Sequence, residues 1–170
     1  MSKQLRSELS HGERSLSTPS PDRLHAWRVY LESSLALLDV LDAELVRDAA
    51  ISQRWYDVLV HLDETPGGLR MNELAERILY SKSGLTRVVD RMEQAGLVRR
   101  VRPDDDRRSI FVVLTDEGRT KLVEARRHHR HAIEQHFSRH LTDTEIKTLA
   151  RAFEKLSAHV RPLRQGRVRS

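Results

Sequence analysis

Three consecutive aspartates, Asp104–Asp106, lie among arginines in the segment VRRVRPDDDRRSIF. They are one set of candidate functional residues in this chain. Adjacent carboxylates can hold a divalent metal ion, whereas the arginines around them can bind a polyanion. A calcium loop needs carboxylates at alternating positions and a later glutamate, and this segment lacks that spacing. We therefore expect no metal here and interpret the aspartates as groups that orient the arginines.

A second set of candidate ligands is the histidine-rich segment RRHHRH and the histidines that follow it. His128 and His131 are three residues apart, and His136 and His140 are four apart, so each pair could share a helix face. The chain has no cysteine that could complete a zinc site. We expect solvated or interhelical histidines, and no metal or other cofactor.

The composition limits the classes of function. The chain has no cysteine, which excludes disulfides, thiolate metal sites and cysteine nucleophiles. It has no nucleophile elbow and no glycine-rich phosphate loop, so we do not expect an enzyme. A formal net charge of +5 favours an anionic partner. No apolar run reaches the roughly 18–20 residues of a membrane span, and we expect a soluble, cytoplasmic bacterial protein with no membrane partner.

The elements that position these residues begin with a long helix. Residues 1–21 are polar and rich in serine and proline, which predicts a disordered tail. From Leu24 to Leu45 apolar residues recur every three or four positions, which predicts one helix to about Arg47. Ser52 is the predicted N-cap of a second helix, which Pro66 and the glycines after it end. The segment MNELAERIL predicts a short third helix, with Asn72 as its N-cap.

A fourth helix and a hairpin follow. Ser81 can cap this helix, and Gly96 suits the left-handed position that ends it. Residues Val98–Arg102 and Ile110–Leu114 predict two antiparallel strands around a turn at the aspartates. Thr115 is the predicted N-cap of the next helix. The predicted apolar face of the fourth helix consists of Leu85, Val88, Val89 and Met92.

The C-terminal third is predicted to be helical. Thr142 and Glu145 form a capping box, and Leu141 and Ile146 suit a hydrophobic staple beside it. Residues 164–170 predict a basic tail that frays. Apolar residues before that tail alternate spacings of three and four, which predicts a narrow seam for a partner helix; they are Ile146, Leu149, Phe153, Leu156, Val160 and Leu163.

This order of helices and hairpin is that of a winged helix-turn-helix module, mostly α with a small β-hairpin wing. In such a module the helix after the turn enters the major groove of DNA, and the hairpin lies beside it. A polar helix face is by itself more often merely solvated, but a basic hairpin next to it favours one continuous grip on a duplex. The polar face of the fourth helix carries Lys82, Ser83, Thr86, Arg87, Asp90 and Arg91.

The segment MNELAERILYSKSGLTRVVDRMEQAGLVRRVRPDDDRRSIFVVLTDEGR resembles the DNA-binding core of the MarR (multiple antibiotic resistance regulator) transcription factors. The resemblance implies one domain over residues 22–163, with dimerisation helices at about 22–48 and 116–163 and a DNA-binding lobe at about 52–115. It implies a homodimer on a pseudo-palindromic operator, and repression relieved by a small ligand or by oxidation. Without cysteine, oxidation cannot act through a thiol.

The resemblance also assigns roles within the lobe. It places an arginine at Arg108, oriented by Asp90 or Asp106, and the residues leave that choice open. Arg107 or Arg108 is expected in the minor groove, where narrow A·T-rich stretches attract arginine. The expected DNA-binding residues are Ser81, Lys82, Ser83, Thr86, Arg87, Asp90, Arg91, Arg102, Asp106, Arg107 and Arg108.

Half of the aromatic tryptophans, tyrosines and phenylalanines lie in the first two helices: Trp27, Tyr30, Trp55 and Tyr56. In the family an effector crevice opens near these helices, and flat side chains would suit a small aromatic or phenolic effector. His25 or Arg28 could then meet its carboxylate. Alternatively Trp27 and Trp55 belong to the core. A further alternative for the whole chain is a winged-helix module used for protein contacts without specific DNA binding.

Overall fold

The computed structural model describes residues 17–78, 82–102 and 109–168, with Lys82, Ser83 and residues 164–168 described by their backbone only. The predicted fold class is confirmed: the protein is mostly helical with one small antiparallel sheet. The strands are β1 (Leu69–Arg70), β2 (Val98–Val101) and β3 (Phe111–Leu114). The helices are α1 (Pro21–Ala49), α2 (Gln53–Asp63), α3 (Met71–Arg77), α4 (Lys82–Gln94), α5 (Asp116–His136) and α6 (Asp143–Val168), with a 3-10 turn at Ser138–His140.

The chain divides into two compact units, residues 1–36 and residues 37–170, and α1 contributes to both. In the first unit, the rings of Trp27 and Tyr30 lie 5.8 Å apart between centroids. In the second unit, the last turns of α1 are tied to α2, because the backbone N–H of Gln53 donates to Asp42 Oδ1 at 2.6 Å.

The hydrophobic core lies in the second unit, between the last turns of α1, the helices α2, α3, α4 and α5, and the sheet. Burying one such leucine or valine stabilises the fold by roughly 1.5–3 kcal/mol. The core therefore fixes which face of each helix points inward, and this sets the orientation of α4. Its largest fully buried side chains are Leu45, Leu59, Leu74, Leu85, Met92, Leu122, Val58, Val89, Val98 and Val112.

The sheet has the order β1–β3–β2, and both pairings are antiparallel. The sequence patterns predicted β2 and β3 but not β1, because two residues are too few to show alternation. The strand β1 can pair closely because Gly68 precedes it at φ +87°, and a Cβ there would stand 2.3 Å from the carbonyl oxygen of Val112. Only glycine fits that approach without displacing backbone.

The predicted caps are confirmed where local signals specify them. Ser52 Oγ accepts from Trp55 N–H at 3.4 Å, and Thr115 Oγ1 accepts from Gly118 N–H at 3.0 Å. Gly96 has φ +73°, and Leu97 N–H donates to Met92 O at 2.9 Å, as in a Schellman motif. The capping box of α6 is also present, since Thr142 N–H donates to Glu145 Oε2 at 2.8 Å.

Two expectations are corrected. Asn72 is not a cap: α3 begins at Met71, and the extended residue Arg70 takes the N-cap position, with its N–H donating to Glu73 Oε2 at 2.9 Å. The strand β1 leads straight into the helix, so the boundary falls earlier than the sequence suggests. The basic tail is also not frayed from residue 164, because α6 continues to Val168 with Pro162 inside it.

Several expectations lie outside the described residues: the cap Ser81, the wing tip at residues 103–108, and most of the tail at residues 1–21. The staple between Leu141 and Ile146 stays a prediction. Within the described part of the chain, no helix combines the length and the apolarity that crossing a membrane requires.

Candidate nucleic-acid interface

The helix α4 is oriented by its apolar face. Leu85, Val89 and Met92 are fully buried, and Val88 packs against the same core. Because these positions face inward, the opposite side of the helix must face solvent. Thr86, Arg87 and Arg91 are exposed on that side, as predicted for a face that contacts DNA. Lys82 and Ser83 begin the same helix.

The strand β2 is attached to α4 through Arg100. Its Nη2 lies 2.5 Å from Asp90 Oδ1, and its Nη1 donates to Glu93 Oε2. Its backbone N–H also donates to Glu93 Oε1 at 2.7 Å. Side chain and backbone of one strand residue therefore hold two carboxylates on successive turns of α4. This arrangement fixes the hairpin's first strand relative to the helix.

The electrostatics of this contact keep Arg100 charged. Partial burial by itself would lower the pKa of Arg100, but hydrogen bonds and attraction from Asp90 and Glu93 outweigh it and raise that pKa. Charge-assisted hydrogen bonds of this kind are stronger than neutral ones and fix geometry when they are bidentate. Asp90 is therefore occupied by Arg100, whereas its predicted partner Arg108 lies outside the described residues.

Arg100 was missed in the sequence, although a signal for it was present. Side chains two apart on a strand share a face, so Arg100 lies on the side of buried Val98. An arginine on the inward side of a strand needs carboxylate partners. The acids of α4 that face this strand were available in the sequence, seven and ten positions earlier.

The other basic residues near the hairpin have two kinds of surroundings. Arg99 is exposed in β2. Arg102, which was predicted to bind DNA, is exposed directly after that strand. Arg70 instead lies with its guanidinium carbon 5.3 Å from the centroid of the Phe111 ring, a cation–π contact between β1 and β3. Arg77 donates to Thr65 Oγ1 at 2.7 Å, which ties α3 to the turn after α2. Ser81, Asp106, Arg107 and Arg108 lie outside the described residues.

The helix α5 is joined to α2 by polar and aromatic contacts. Asp63 at the end of α2 lies 2.9 Å from Arg126 Nη1 and 3.5 Å from Arg119 Nη1. The rings of Tyr56 and His129 lie 4.5 Å apart between centroids. These contacts, together with those between α5 and β3, hold α5 against the lobe.

The residues expected around an effector fall in both units. Trp55 and Tyr56 are partly buried against the core of the second unit. In the first unit His25, Arg28 and Tyr30 are exposed, and Trp27 is 56% exposed. The alternative that Trp27 is a core residue is therefore wrong for the described part of the single chain, which leaves more than half of its surface exposed.

The histidines have the interhelical and local contacts expected of them. His136 Nε2 lies 3.1 Å from Glu44 Oε1 on α1, and His140 Nε2 lies 3.0 Å from Gln135 O. Among residues 17–78, 82–102 and 109–168, no three histidine, aspartate or glutamate side chains come together as metal ligands would.

The predicted apolar seam of α6 is partly buried at Ile146 and Leu149 and exposed from Phe153 onward. Phe153 and Val160 are more than one-third exposed, and Leu163 is 60% exposed. On α1, Leu24, Leu31, Leu35 and Leu38 are exposed as well. Each helix thus exposes a row of apolar side chains, a feature that marks interaction surfaces when it forms a contiguous patch.

Comparison with known proteins gives a consistent result. The MarR family model matches residues 51–109. The solved structure of Sco3205, a MarR family transcriptional regulator from Streptomyces coelicolor in complex with DNA, is 34% identical, with a TM-score of 0.78 over 84% of this chain and 94% of that one. AbsC, another MarR family regulator from Streptomyces coelicolor, is 31% identical, with a TM-score of 0.79 over 86% of this chain and 99% of that one.

Curated relatives match over a shorter stretch. The transcriptional repressor MdtR of Bacillus subtilis is 37% identical over 91 residues, which are 54% of this chain and 58% of that protein. The chain spans about half the length of the curated relatives it matches.

Proposed function

This chain belongs to the MarR family of transcriptional regulators, and from that premise we propose that it binds double-stranded operator DNA and regulates transcription. The observation that carries the proposal is the exposed basic face of α4, held beside the hairpin by Arg100. The regulator Sco3205, similar to this chain over nearly its whole length, was solved in complex with DNA. Family membership also identifies the chain as a regulator and not an enzyme.

In the proposed binding mode α4 lies in the major groove. Arg87 and Arg91 reach guanine edges or phosphates, and Thr86 contacts a base edge or the backbone. Ser81, Lys82 and Ser83, at the start of the helix, meet phosphates, because a helix N-terminus favours anions. In the hairpin, Arg102 contacts the backbone, Arg107 or Arg108 enters the minor groove, and Asp106 orients Arg108.

The proposed assembly is a homodimer on a pseudo-palindromic operator. Support comes from the two uncovered apolar helix faces, on α1 and α6, which a second copy of the chain would cover. A two-fold dimer places two recognition helices on one face of the duplex, about one helical turn apart.

The proposed mode of regulation is repression that a small aromatic or phenolic effector relieves. Trp55 and Tyr56 offer half-buried aromatic surfaces in the joint between the lobe and α5, so a ligand there could shift the lobe. Trp27, Tyr30, His25 and Arg28 offer further aromatic and cationic groups on α1. Since its partner is chromosomal DNA, the proposed location is the bacterial cytoplasm.

The test is selection of bound sequences from random duplex DNA, with and without candidate aromatic acids. We expect enrichment of one inverted repeat. We also expect the affinity to fall steeply with salt, because arginine and lysine side chains that bind phosphates release counterions condensed on the DNA. A module that makes only protein contacts would enrich no sequence and would show no salt-dependent binding, and this outcome would refute the proposal.

A further inference from the structure

The joint between α2 and α5 contains a histidine with an unusual environment. His129 is half-buried, and the ring of Tyr56 covers one side of it at 4.5 Å between centroids, tilted by 52°. Its Nδ1 is inaccessible to solvent and has no hydrogen-bond partner within the described part of the chain. A neutral ring with an unprotonated Nδ1 tolerates this position, whereas an imidazolium needs an acceptor for each N–H.

The charged groups around His129 come from both helices. On α2, Asp57 attracts a charged His129, but its Oδ1 already accepts from Gln53 Nε2 at 2.9 Å. On α5, the positive charges of Arg126 and Arg130 act on Tyr56, on the other side of the joint. Arg126 is in addition fixed to Asp63 of α2 at 2.9 Å.

Burial lowers the pKa of His129, and the attraction of Asp57 opposes that shift only in part. The same burial raises the pKa of Tyr56, against the influence of Arg126 and Arg130. At neutral pH both rings are therefore uncharged, and the contact between them is an apolar one.

From this geometry we propose that His129 is a proton sensor in the joint between the DNA-binding lobe and α5. The neutral ring packs α2 onto α5. Protonation introduces a cation at a buried Nδ1 that has no hydrogen-bond partner within the described part of the chain, and this loosens that packing. Because α2 also packs against α3, α4 and β3, loosening its contact with α5 changes the packing of the lobe, which α5 otherwise contacts through β3.

The sign of the pH dependence follows from linkage. A histidine whose pKa is lowered by folding binds fewer protons in the folded state than in the unfolded state. Its contribution to stability is therefore present above the ordinary histidine pKa of about 6.5 and is lost as the pH falls below it. Bulk electrostatics predicts the reverse for DNA binding, since protonating the chain's 9 histidines adds positive charge.

The effect on DNA rests on the proposed function, so the experiment measures folding and DNA binding separately. The experiment compares wild type with His129→Phe and His131→Gln at about pH 7.5 and about pH 5.8. It measures the midpoint of thermal unfolding and, by titration, the affinity for a selected operator. Phenylalanine keeps a ring against Tyr56 but cannot take a proton. His131, exposed on the same helix two residues further, is the matched control.

On acidification we expect the unfolding midpoint of wild type and His131→Gln to fall and their operator affinity to drop severalfold, because the folded state of each binds fewer protons at His129 than the unfolded state. His129→Phe should keep its midpoint and bind as tightly or more tightly. An acid loss in His129→Phe equal to that of wild type would overturn the proposal, as would a wild type that loses nothing. His129→Gln repeats the comparison if the phenylalanine variant does not fold. Failure of every variant to bind DNA at neutral pH would refute the proposed function. The thermal unfolding measurements at the two pH values would still test whether His129 senses protons.

Discussion

Arg100 of β2 and Asp90 of α4 lie 2.5 Å apart between Nη2 and Oδ1, and this contact joins the wing to the recognition helix. With Glu93 as a second partner, the guanidinium bridges two carboxylates about one turn apart on α4. Helix and hairpin must present their cations to one duplex at the same time, so their relative position matters as much as their charge. In the proposed binding mode, Arg100 thus acts by positioning the groups that contact DNA.

The first prediction concerns this contact. Arg100→Ala should lower the free energy of unfolding by about 1–2 kcal/mol, less than for a deeply buried pair because both carboxylates are more than one-third exposed. It should also weaken operator binding. Arg99→Ala, on the outward side of the same strand, should change the unfolding free energy by no more than about 0.5 kcal/mol. Equal stabilities of the two variants in denaturant titrations would count against the positioning role.

The second prediction separates base recognition from backbone grip. Arg87→Ala should cost about 1–3 kcal/mol on the selected operator and relax base preference at one position in each half-site. Repeating the sequence selection with the variant measures this. If Arg87→Ala weakened binding to operator and random DNA by the same factor, Arg87 would contact phosphate only.

The third prediction uses two adjacent glycines, Gly67 and Gly68, which have similar φ angles. Gly67 has φ +92° with open space around a Cβ, whereas Gly68 has φ +87° and a Cβ there would stand 2.3 Å from Val112 O. Gly67→Ala should cost only the strain of a left-handed alanine, about 1 kcal/mol. Gly68→Ala should cost clearly more and detach β1 from β3. Thermal unfolding of both variants measures the difference, and equal midpoints would contradict the close approach.

The fourth prediction tests whether a second copy of the chain covers the apolar seam of α6. Leu156→Glu places a charge on the uncovered seam of α6, where Leu156 is 44% exposed in the single chain. If that seam is buried in a dimer, an unpaired charge there should cost several kcal/mol and dissociate or unfold the protein. Lys155→Glu, one residue earlier on exposed surface, is the control. Light scattering that shows wild type as a folded monomer at micromolar concentration would rule out the dimer.

What could be predicted from the sequence was mainly local. Ser52, Thr115 and Gly96 act within one helical turn, so residue type and position were enough to identify them. The apolar face of α4 followed from spacing alone, and with it the exposure of Arg87 and Arg91.

The features that were missed depend on distant partners. The pairing of β1 with β3 joins Leu69 to Val112, which are far apart in the chain. The contact of Tyr56 with His129 likewise requires α2 and α5 to be packed together first. At Asn72 a favourable cap residue was present, but the strand pairing of Arg70 moved the start of the helix. In each case tertiary packing either overrode a local preference or supplied a contact that local preference does not specify.

The most direct test of the central claim is an anisotropy titration of wild-type protein with its selected operator and with a scrambled duplex of equal length, each at two salt concentrations. The predicted result is binding to the operator that is at least about 1,000-fold tighter than to the scrambled duplex, with both affinities falling as salt rises. Equal affinity for the two duplexes, or no salt-dependent binding to either, would contradict the claim that this chain recognises a DNA sequence through α4 and its wing.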